Sequence, residues 1–263
     1  MVHNVIACVT ANVVGNEPLT LYSWLVSPYS AKVRSLLHYK RVHVDHVRPS
    51  GLQLYWTIKR AVGRAVMPTV RNARGVWLQD SSVIADDVER SYPEPSVTPR
   101  AGAQHLASAL IELLADEWYV LITLHWRWNK AGNALWAVDE FRRNAFPWLP
   151  RWAGLRLATP ITQSMQKYRP VVGISEATHA GIERYTATLI EELERHFSND
   201  ATPYLLGARP CRGDFALSAP LWAHLYRDPH TRVLFDAAPA TVRWMERLHA
   251  AASDNAPLPR RPD

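Results

Sequence analysis

Hydrophobic and polar positions follow two different periods along this chain, and the change falls near residue 95. Before that point, short runs rich in β-forming residues alternate with stretches of helical spacing. Strands are predicted at LTLYSW (19–24), VHVDHV (42–47), PTVRN (68–72) and VWLQD (76–80), the last two as a hairpin around Arg74-Gly75. Helices are predicted from Ser27-Pro28 onward, more weakly over 51–62, and over 82–92. The predicted order is strand, helix, strand, helix, two strands and helix.

After residue 95 only the helical period persists. The segment PEPSVTP (93–99) has three prolines in seven residues, which prevents a helix and indicates a linker. Leucines at three- and four-residue steps from Leu106 to Leu124 predict one long helix over 100–130. Further helices are predicted over 176–197, 212–227 and 239–252, with a loop at FPWLP (146–150). We divide the chain into an N-terminal extension (1–17), an α+β domain (18–93), a linker (94–99) and an all-α domain (100–263).

The composition narrows the classes of function. The 263 residues are 48% hydrophobic and 21% charged, which suits a globular protein with a substantial core. The net charge is +6, but the arginines are scattered and the longest basic runs are pairs, so nucleic-acid binding is not expected. An acidic small-molecule substrate suits this charge better. No apolar run reaches the roughly 18 residues that a membrane span needs, so none is expected.

The cysteines and histidines give no sign of a metal site. Cys8 and Cys211 are too few and too far apart for a disulfide framework, and they fit a reducing compartment, so a cytoplasmic location is expected. The chain has no C-x-x-C and no H-E-x-x-H motif, and the spacing of His43 and His46 should place them on opposite faces of a strand. No metal cofactor is therefore expected.

The first segment with candidate chemistry is Ser27-Pro28-Tyr29-Ser30. Unpaired N–H groups and the helix dipole at a helix start stabilise an anion such as a thiolate. The Ser27 hydroxyl could donate a hydrogen bond to such a thiolate. Ser before Pro is also an ordinary N-cap, and local sequence leaves both interpretations open.

The second segment, Val66-Met67-Pro68, leads into the third strand. A proline belongs at a strand start because it has no N–H to donate. If the Met67-Pro68 bond is cis, the backbone of Met67 is free to pair with an extended peptide. An ordinary strand-start proline is the alternative.

The third segment, Asp80-Ser81-Ser82, lies between the fourth strand and the next helix. Ser81 or Ser82 would cap that helix, whose first amides could hold a carboxylate. Asp80 could pair with an ammonium group. Capping alone explains the same residues.

The order and spacing of the three segments resemble the glutathione-binding domain of the glutathione transferase superfamily. LYSWLVSPYSAKVR looks like that family's first strand and helix, and LQDSSVI is similar to its E-S-x-A-I segment, with Asp for Glu and Val for Ala. YLLGARPCRGDFALSAPLWAHL (204–225) is similar to its late helix, in which a G-x-x-P turn precedes a capping box ending in Asp. The resemblance covers roughly residues 19–252, apart from the middle of the helical half. It implies a thioredoxin-like first domain and a helical-bundle second domain.

Carried over by position, the resemblance assigns Ser27 to hydrogen-bond the glutathione thiolate. The backbone before the third strand would pair with the cysteinyl part, and the start of the next helix would hold the γ-glutamyl end. An arginine just upstream is a looser candidate for the glycine carboxylate, because a guanidinium matches a carboxylate well. The residues implied for glutathione binding are Arg64, Val66, Met67, Pro68, Asp80 and Ser81.

The chain also differs from branches of the family at Ser27 and from the family's usual capping box at Cys211. The superfamily's thiol-reductase branches carry Cys at the position of Ser27, so this chain lacks the nucleophile for mixed-disulfide chemistry. Tyr22, on the strand where some branches place a catalytic Tyr, is the second candidate for the thiolate donor, with core packing the better interpretation. Cys211 replaces the usual Ser or Thr of the late capping box, where Asp214 can still bond back to its amide in a structural role.

Tryptophan is the compositional outlier, with six of 11 copies within residues 118–152. The resemblance implies that the first helix after the linker faces glutathione, so its C-terminal part predicts an aromatic pocket for a bulky apolar electrophile. Core packing or dimer contact explains these residues equally well, and is favoured for Trp136, Trp148 and Trp152. The predicted pocket residues are Tyr29, Trp118, Tyr119, His125 and Trp126. Trp118 or Trp126 is expected to touch the second substrate.

The resemblance thus implies a cytoplasmic, homodimeric glutathione transferase acting in detoxification, with glutathione as co-substrate and a hydrophobic electrophile as its partner. A glutathione-dependent lyase or isomerase on the same site, and a non-catalytic glutathione-transferase-like binding protein, remain alternatives because a fold does not guarantee an activity. The choice of second substrate is expected to reside in residues 130–175, a stretch longer than a compact transferase needs.

Overall fold

The structure is a computed structural model that describes residues 18–199 and 201–249. The predicted extension over 1–17 lies outside the described residues. The strands of the first domain are β1 (Leu19–Tyr22), β2 (Val44–Val47), β3 (Thr69–Arg71) and β4 (Trp77–Gln79). Its helices are α1 (Pro28–Tyr39), α2 (Gly51–Gln53), α3 (Lys59–Val62) and α4 (Ser81–Ser91), with a π-helical turn over Leu54–Ile58 joining α2 to α3.

The four strands form one mixed sheet in the order β2-β1-β3-β4. β1 is parallel to β2, pairing Leu21 with His46, and antiparallel to β3, pairing Leu21 with Val70. β3 and β4 are antiparallel, with Val70 opposite Leu78. Leu21 and Val70 are fully buried in the core that α1 and α4 cover. A parallel β-α-β unit followed by an antiparallel hairpin and a helix is the thioredoxin-like arrangement that the resemblance implies, and its element order is the one that the sequence pattern predicts.

The described part of the second domain consists of helices and their connections. The helices are α5 (Gly102–Leu113), α6 (Val120–Trp128), α7 (Ala131–Ala145), α8 (Arg151–Gln166), α9 (Glu176–Phe197), α10 (Arg212–Pro220) and α11 (Pro239–His249). π-helical turns over Leu114–Trp118 and Leu221–Tyr226 follow α5 and α10, and a 3-10 turn covers Arg232–Phe235. No helix within the described ranges is long and apolar enough to cross a membrane.

The single helix predicted over 100–130 is wrong, because the chain is interrupted in its middle. α5 ends at Leu113, and the π-helical turn holds one more residue than an α-turn would before α6 begins at Val120. The extra residue rotates every later side chain about the helix axis, so positions counted across the break do not share a face. The stretch 130–175 forms α7 and α8, which pack on each other around the proline-containing loop at 146–150.

Asp214 joins the start of α10 to its surroundings. Its Oδ2 accepts from the Cys211 amide at 2.9 Å and from the Cys211 thiol at 3.2 Å, while its Oδ1 accepts from the Leu205 amide and the Trp244 indole, each at 2.9 Å. Cys211 therefore acts at this cap partly as a donor to Asp214. These contacts place the fully buried Asp214 between the preceding turn and α11.

Candidate functional site

Ser27 lies where the loop after β1 enters α1. Its backbone is extended (φ −95°, ψ 122°), its Oγ accepts a hydrogen bond from the Ser30 amide at 3.2 Å, and Pro28 takes the first helical position. This bond uses a lone pair of the hydroxyl oxygen and leaves the hydroxyl hydrogen, which has no acceptor among the described residues. The two interpretations of Ser27 are therefore compatible, since the same side chain can cap α1 and donate to an anion.

Ser27 borders a cavity of about 690 Å³ between the two domains. The cavity is walled mostly by apolar side chains. The wall from the first domain comprises Trp24, Val26, Ser27, Pro28, Tyr29, Gly51, Leu52, Leu54, Tyr55, Ala65, Val66 and Met67. The wall from the helical domain comprises Val120, Thr123, Leu124, Arg127, Trp128, Phe141, Ala145, Phe146, Ile161, Met165 and His224.

A second, more polar pocket of about 360 Å³ adjoins the cavity. It is lined by Tyr29, Val66, Met67, Pro68, Gln79, Asp80, Ser81, Ser82, Asp116 and Glu117. Tyr29, Val66 and Met67 belong to both walls, so the polar pocket and the apolar cavity meet at these three residues. The structure thus brings Val66, Met67, Pro68, Asp80 and Ser81 together around one pocket next to Ser27.

Met67 lines both the cavity and the polar pocket, and its backbone groups are free. The Met67-Pro68 bond is cis. Neither the N–H nor the C=O of Met67 is hydrogen-bonded to any described residue, although the neighbouring Val66 carbonyl accepts from Thr69 Oγ1 at 2.9 Å. A donor and an acceptor on one residue are what an extended peptide needs to pair with a chain edge.

The N-cap of α4 is Asp80, which corrects the expectation that Ser81 or Ser82 caps this helix. Asp80 has a left-handed backbone conformation (φ 79°), and its Oδ1 accepts from the amides of Ser82 at 2.9 Å and Val83 at 3.3 Å. A carboxylate one residue earlier in the chain can reach these amides, because the cap position lies just before the first helical residue. Asp80 lines the polar pocket, and its Oδ2 has no partner among the described residues.

An ion-pair network includes Ser82 and Asp116 of the polar pocket's wall. Lys32 Nζ on α1 lies 2.5 Å from Asp116 Oδ2, 2.8 Å from Glu112 Oε1 and 3.1 Å from Ser82 Oγ. Burial raises the pKa of Asp116 despite the contact with Lys32. Burial also acts to raise the pKa of Glu112. The charges and hydrogen bonds of Lys32 and Arg212 outweigh burial there, so the pKa of Glu112 is lowered. The network ties α1 of the first domain to the helix that begins the second.

Tyr29 lines both the apolar cavity and the polar pocket, and its side chain is a neutral phenol. Its hydroxyl donates to the Asp116 backbone carbonyl at 2.8 Å. Burial, followed by the negative charge of Asp116, raises the pKa of Tyr29 to about 12. The hydroxyl hydrogen of Tyr29 is already used in this bond. Tyr29 therefore forms part of the wall where the polar pocket meets the cavity, but it offers no hydrogen-bond donor there.

Four of the predicted pocket residues lie elsewhere. They are Trp118, Tyr119, His125 and Trp126. Trp118 is 56% exposed in the π-helical turn. The other three are buried toward α9, where the Trp126 indole donates to Thr186 Oγ1 at 3.0 Å and His125 pairs with Glu183 at 3.0 Å.

This correction has a physical reason in the surroundings of α6. The helix is apolar on two sides, because one side packs on α9 and the other lines the cavity. The side at the cavity carries Val120, Leu124 and Trp128, four residues apart, a spacing that was visible in the sequence. Only the three-dimensional packing shows which of the two apolar sides lines the cavity. Trp24 and Phe141, also in the wall, were missed because nothing local distinguishes them from core residues.

Two further candidates line neither hollow. Arg64 is exposed in the loop before β3. Tyr22 stacks on Trp77 with ring centroids 5.2 Å apart, at the sheet and away from Ser27's cavity. Within the described ranges, no group of three His, Cys, Asp or Glu side chains could hold a metal ion.

A thioredoxin-like domain joined across an apolar cavity to a helical domain is the glutathione transferase fold. Residues 21–96 match the family model of the glutathione S-transferase N-terminal domain. This match assigns the first domain to that family and covers no part of the helical domain. No curated protein matches it in sequence.

Solved structures of the same fold extend over both domains. A glutathione S-transferase from Methylobacterium radiotolerans, in complex with glutathione sulfonate, is 20% identical, covers 94% of this chain and 97% of its own, and superposes with a TM-score of 0.59. The β-etherase LigF from Sphingobium is 20% identical, covering 89% and 96%, with a TM-score of 0.60. The glutathione transferase GSTFuA3 from Phanerochaete chrysosporium is 17% identical, covering 90% and 98%, with a TM-score of 0.62. These likenesses establish the shared fold.

Proposed function

We propose that the chain is a glutathione transferase that holds glutathione along the polar pocket and places its sulfur beside Ser27, facing the apolar cavity. The observation that carries the proposal is the shared wall of the two hollows at Tyr29, Val66 and Met67. A tripeptide in the polar pocket ends at a cavity that is large enough for a second, apolar molecule.

Each part of glutathione has a complementary group in this proposal. The backbone of Met67 pairs with the cysteinyl unit, between Val66 and Pro68. Oδ2 of Asp80 takes the γ-glutamyl ammonium group, and the first amides of α4 at Ser81 take the adjacent carboxylate. Exposed Arg64, just upstream, is the group proposed to reach the glycine carboxylate.

Three features would favour the thiolate of the bound glutathione. The N-terminus of α1 supplies positive dipole, the Ser27 hydroxyl supplies one donor, and the apolar wall keeps competing water away. Tyr29 is not the donor, because its hydrogen is bonded to the Asp116 carbonyl. A free cysteinyl thiol has a pKa of about 8.5, so stabilising the anion raises the reactive fraction at neutral pH.

The second substrate proposed is an uncharged hydrophobic or aromatic electrophile. Trp24, Trp128 and Phe141 give the cavity flat apolar surfaces that suit a ring system. Arg127 is the one charged side chain among the residues lining the cavity, and its donors are all engaged within the protein. An anionic substrate would therefore find no free cation there.

We also propose that two copies of the chain associate through α5. One side of α5 and the following turn carries a stripe of exposed apolar residues, a feature that monomers rarely leave uncovered. The stripe consists of Leu106, Leu110, Leu113, Leu114 and Trp118, each 40–61% exposed. Leu106, Leu110 and Leu113 are spaced four and three residues apart, which places them on one face of α5, and Leu114 and Trp118 extend the apolar surface into the π-helical turn.

Replacing Ser27 by alanine tests the thiolate assignment. The variant loses one hydrogen bond to an anion, so kcat at saturating glutathione should fall about 10- to 100-fold at neutral pH with an apolar aryl halide. Ser27→Thr keeps a hydroxyl and should retain most of the activity. Ser50→Ala is the matched control, because Ser50 Oγ caps α2 with the same 3.2 Å bond to an amide. It should leave kcat unchanged.

Isothermal titration calorimetry with glutathione accompanies these assays. Binding at millimolar concentration or tighter is expected for the parent protein and for Ser27→Ala. Absence of binding would contradict the enzyme and favour the non-catalytic alternative. An unchanged kcat in Ser27→Ala would contradict the role of Ser27 alone.

A further inference from the structure

The peptide group that leads into Ser27 is held at both ends. Its N–H, belonging to Ser27, donates to the Trp24 carbonyl at 3.2 Å, and its C=O, belonging to Val26, accepts from Arg127 Nη1 at 2.8 Å. Because a peptide group is planar, these two bonds fix its orientation and the direction in which the Ser27 side chain leaves it. One of the two anchors, Arg127, comes from α6 of the helical domain.

Arg127 is itself fully constrained. Its side chain is 2% exposed, and Nε and Nη2 bind the Asp228 carboxylate at 2.7 and 2.6 Å. Nη2 also donates to the Ala223 carbonyl at 2.8 Å, and Nη1 to His224 Nε2 at 2.7 Å. With the bond to Val26, these contacts use all five N–H groups of the guanidinium.

His224 fits this arrangement only in its neutral form. Its Nε2 accepts from Arg127, so its hydrogen lies on Nδ1, which is 3.3 Å from the Thr123 carbonyl. Burial, followed by the positive charge of Arg127, lowers the pKa of His224 well below its usual range. Arg127 and His224 therefore lie in the cavity wall with no hydrogen-bonding group left over for a substrate, which leaves the Val26 carbonyl as their contact with the site.

We propose that Arg127 is a positioning residue for Ser27. By anchoring the Val26 carbonyl to the helical domain, it holds the Ser27 hydroxyl at the junction of the polar pocket and the apolar cavity. This inference rests on the proposed function and adds a residue from the second domain to the geometry of the thiolate site. Asp228 takes part indirectly, because its two oxygens set the plane of the guanidinium.

The double variant R127M/D228N removes the anchor without leaving a buried charge unpaired. Its matched control is K40M/E89Q, at the other end of α1. Lys40 is also a buried cation that pairs with a carboxylate, Glu89, at 2.6 Å and donates to two backbone carbonyls. Lys40 and Glu89 line neither the cavity nor the polar pocket. The control variant therefore loses a buried ion pair, as R127M/D228N does, but keeps the bond between Arg127 and the Val26 carbonyl.

The first readout is hydrogen exchange of the amides of Ser27 and Ser30, which needs no ligand. We expect both to exchange about tenfold faster than in the control, because the Val26–Ser27 peptide can rotate. The second readout is the pH profile of kcat/KM with glutathione and an aryl halide. We expect kcat/KM to fall about 10- to 100-fold with the apparent thiol pKa shifted upward, while the control keeps the parent profile.

Equal exchange in the double variant and the control would overturn the proposal. So would an unshifted pH profile in a variant that still folds. If the parent protein conjugates no substrate, the proposed function fails instead, and the exchange of the Ser27 and Ser30 amides alone decides whether Arg127 positions this loop.

Discussion

Trp126 and Trp128 lie two residues apart on α6 and face opposite sides of it. The Trp126 indole donates to Thr186 on α9 at 3.0 Å, whereas Trp128 lines the cavity between the domains. Two residues on an α-helix are separated by roughly 200° of rotation, so the opposition follows from the backbone. Both are over nine-tenths buried, and burial alone does not distinguish the structural tryptophan from the one proposed to meet substrate.

The two tryptophans therefore predict different consequences for the same substitution. Trp128→Phe should lower kcat/KM for a bulky aryl electrophile about tenfold, because the cavity wall loses apolar contact with it. Trp126→Phe should leave that ratio nearly unchanged and lower the free energy of unfolding by about 1–2 kcal/mol, through the lost bond to Thr186. Steady-state kinetics and urea denaturation measure the two effects. Equal kinetic losses in both variants would contradict the cavity assignment.

Much of the fold could be predicted from the sequence because its causes are local. The alternation in 42–47, the glycine turn at Arg74-Gly75 and the Ser27-Pro28 helix start each act over a few residues, and each appears where the sequence places it. The prolines of 93–99 also fall between the last helix of the first domain and α5. Local pattern sufficed in these places because the alternation, the turn and the cap are each specified by residues close together in the sequence.

The walls of the site depend on distant partners and could be predicted only in part. Val66, Met67, Asp80 and Ser81, which the resemblance assigns to glutathione, line one pocket, and their role in binding stays a prediction. The role proposed for Arg127 could not be predicted from the sequence, because it depends on contacts with residues about a hundred positions away. The π-helical turn over Leu114–Trp118 likewise leaves no clear mark in an apolar stretch, yet it determines which side of α6 reaches the cavity.

The exposed stripe on α5 predicts self-association that charge should disrupt. Leu110→Glu combined with Leu113→Glu places two carboxylates in the proposed interface, where burying them unpaired is strongly unfavourable. Sedimentation or light scattering should give a dimer for the parent protein and a monomer for the variant. Leu157→Glu is the control, because Leu157 is 49% exposed on α8 and lies outside the stripe. A parent protein that sediments as a monomer would refute the interface.

The salt bridge between Lys32 and Asp116 predicts a large effect on stability. Lys32→Met leaves Asp116 without its cation at a buried position, so the free energy of unfolding should fall by about 3 kcal/mol. Lys130→Met is the comparison, because Lys130 pairs with Glu183 at 2.9 Å while both side chains are more than one-third exposed. That variant should change stability by about 1 kcal/mol or less. Similar losses in the two variants would show that burial does not govern the Lys32 contact.

His249 predicts that the protein loses stability in mild acid. It is buried on α11, its Nε2 is 2.8 Å from Ser218 Oγ, and its ring stacks on Trp222. Burial, followed by the positive charge of Arg34, lowers the pKa of His249 to about 3. An unfolded histidine has a pKa of about 6.5. Between these two values the unfolded chain takes up a proton that the folded chain does not, so stability is complete above the higher value and falls as the pH decreases toward the lower one.

The size of this loss can be isolated with His249→Gln, which keeps a donor for Ser218 and does not titrate. Between pH 7 and pH 5, His249 should account for about 2 kcal/mol of the fall in the free energy of unfolding, so the variant's fall should be smaller by that amount. Urea denaturation at several pH values measures the two slopes. Exposed His105 supplies the control, and His105→Gln should keep the parent slope. An unchanged slope in His249→Gln would mean that the buried ring accepts its proton in the folded state.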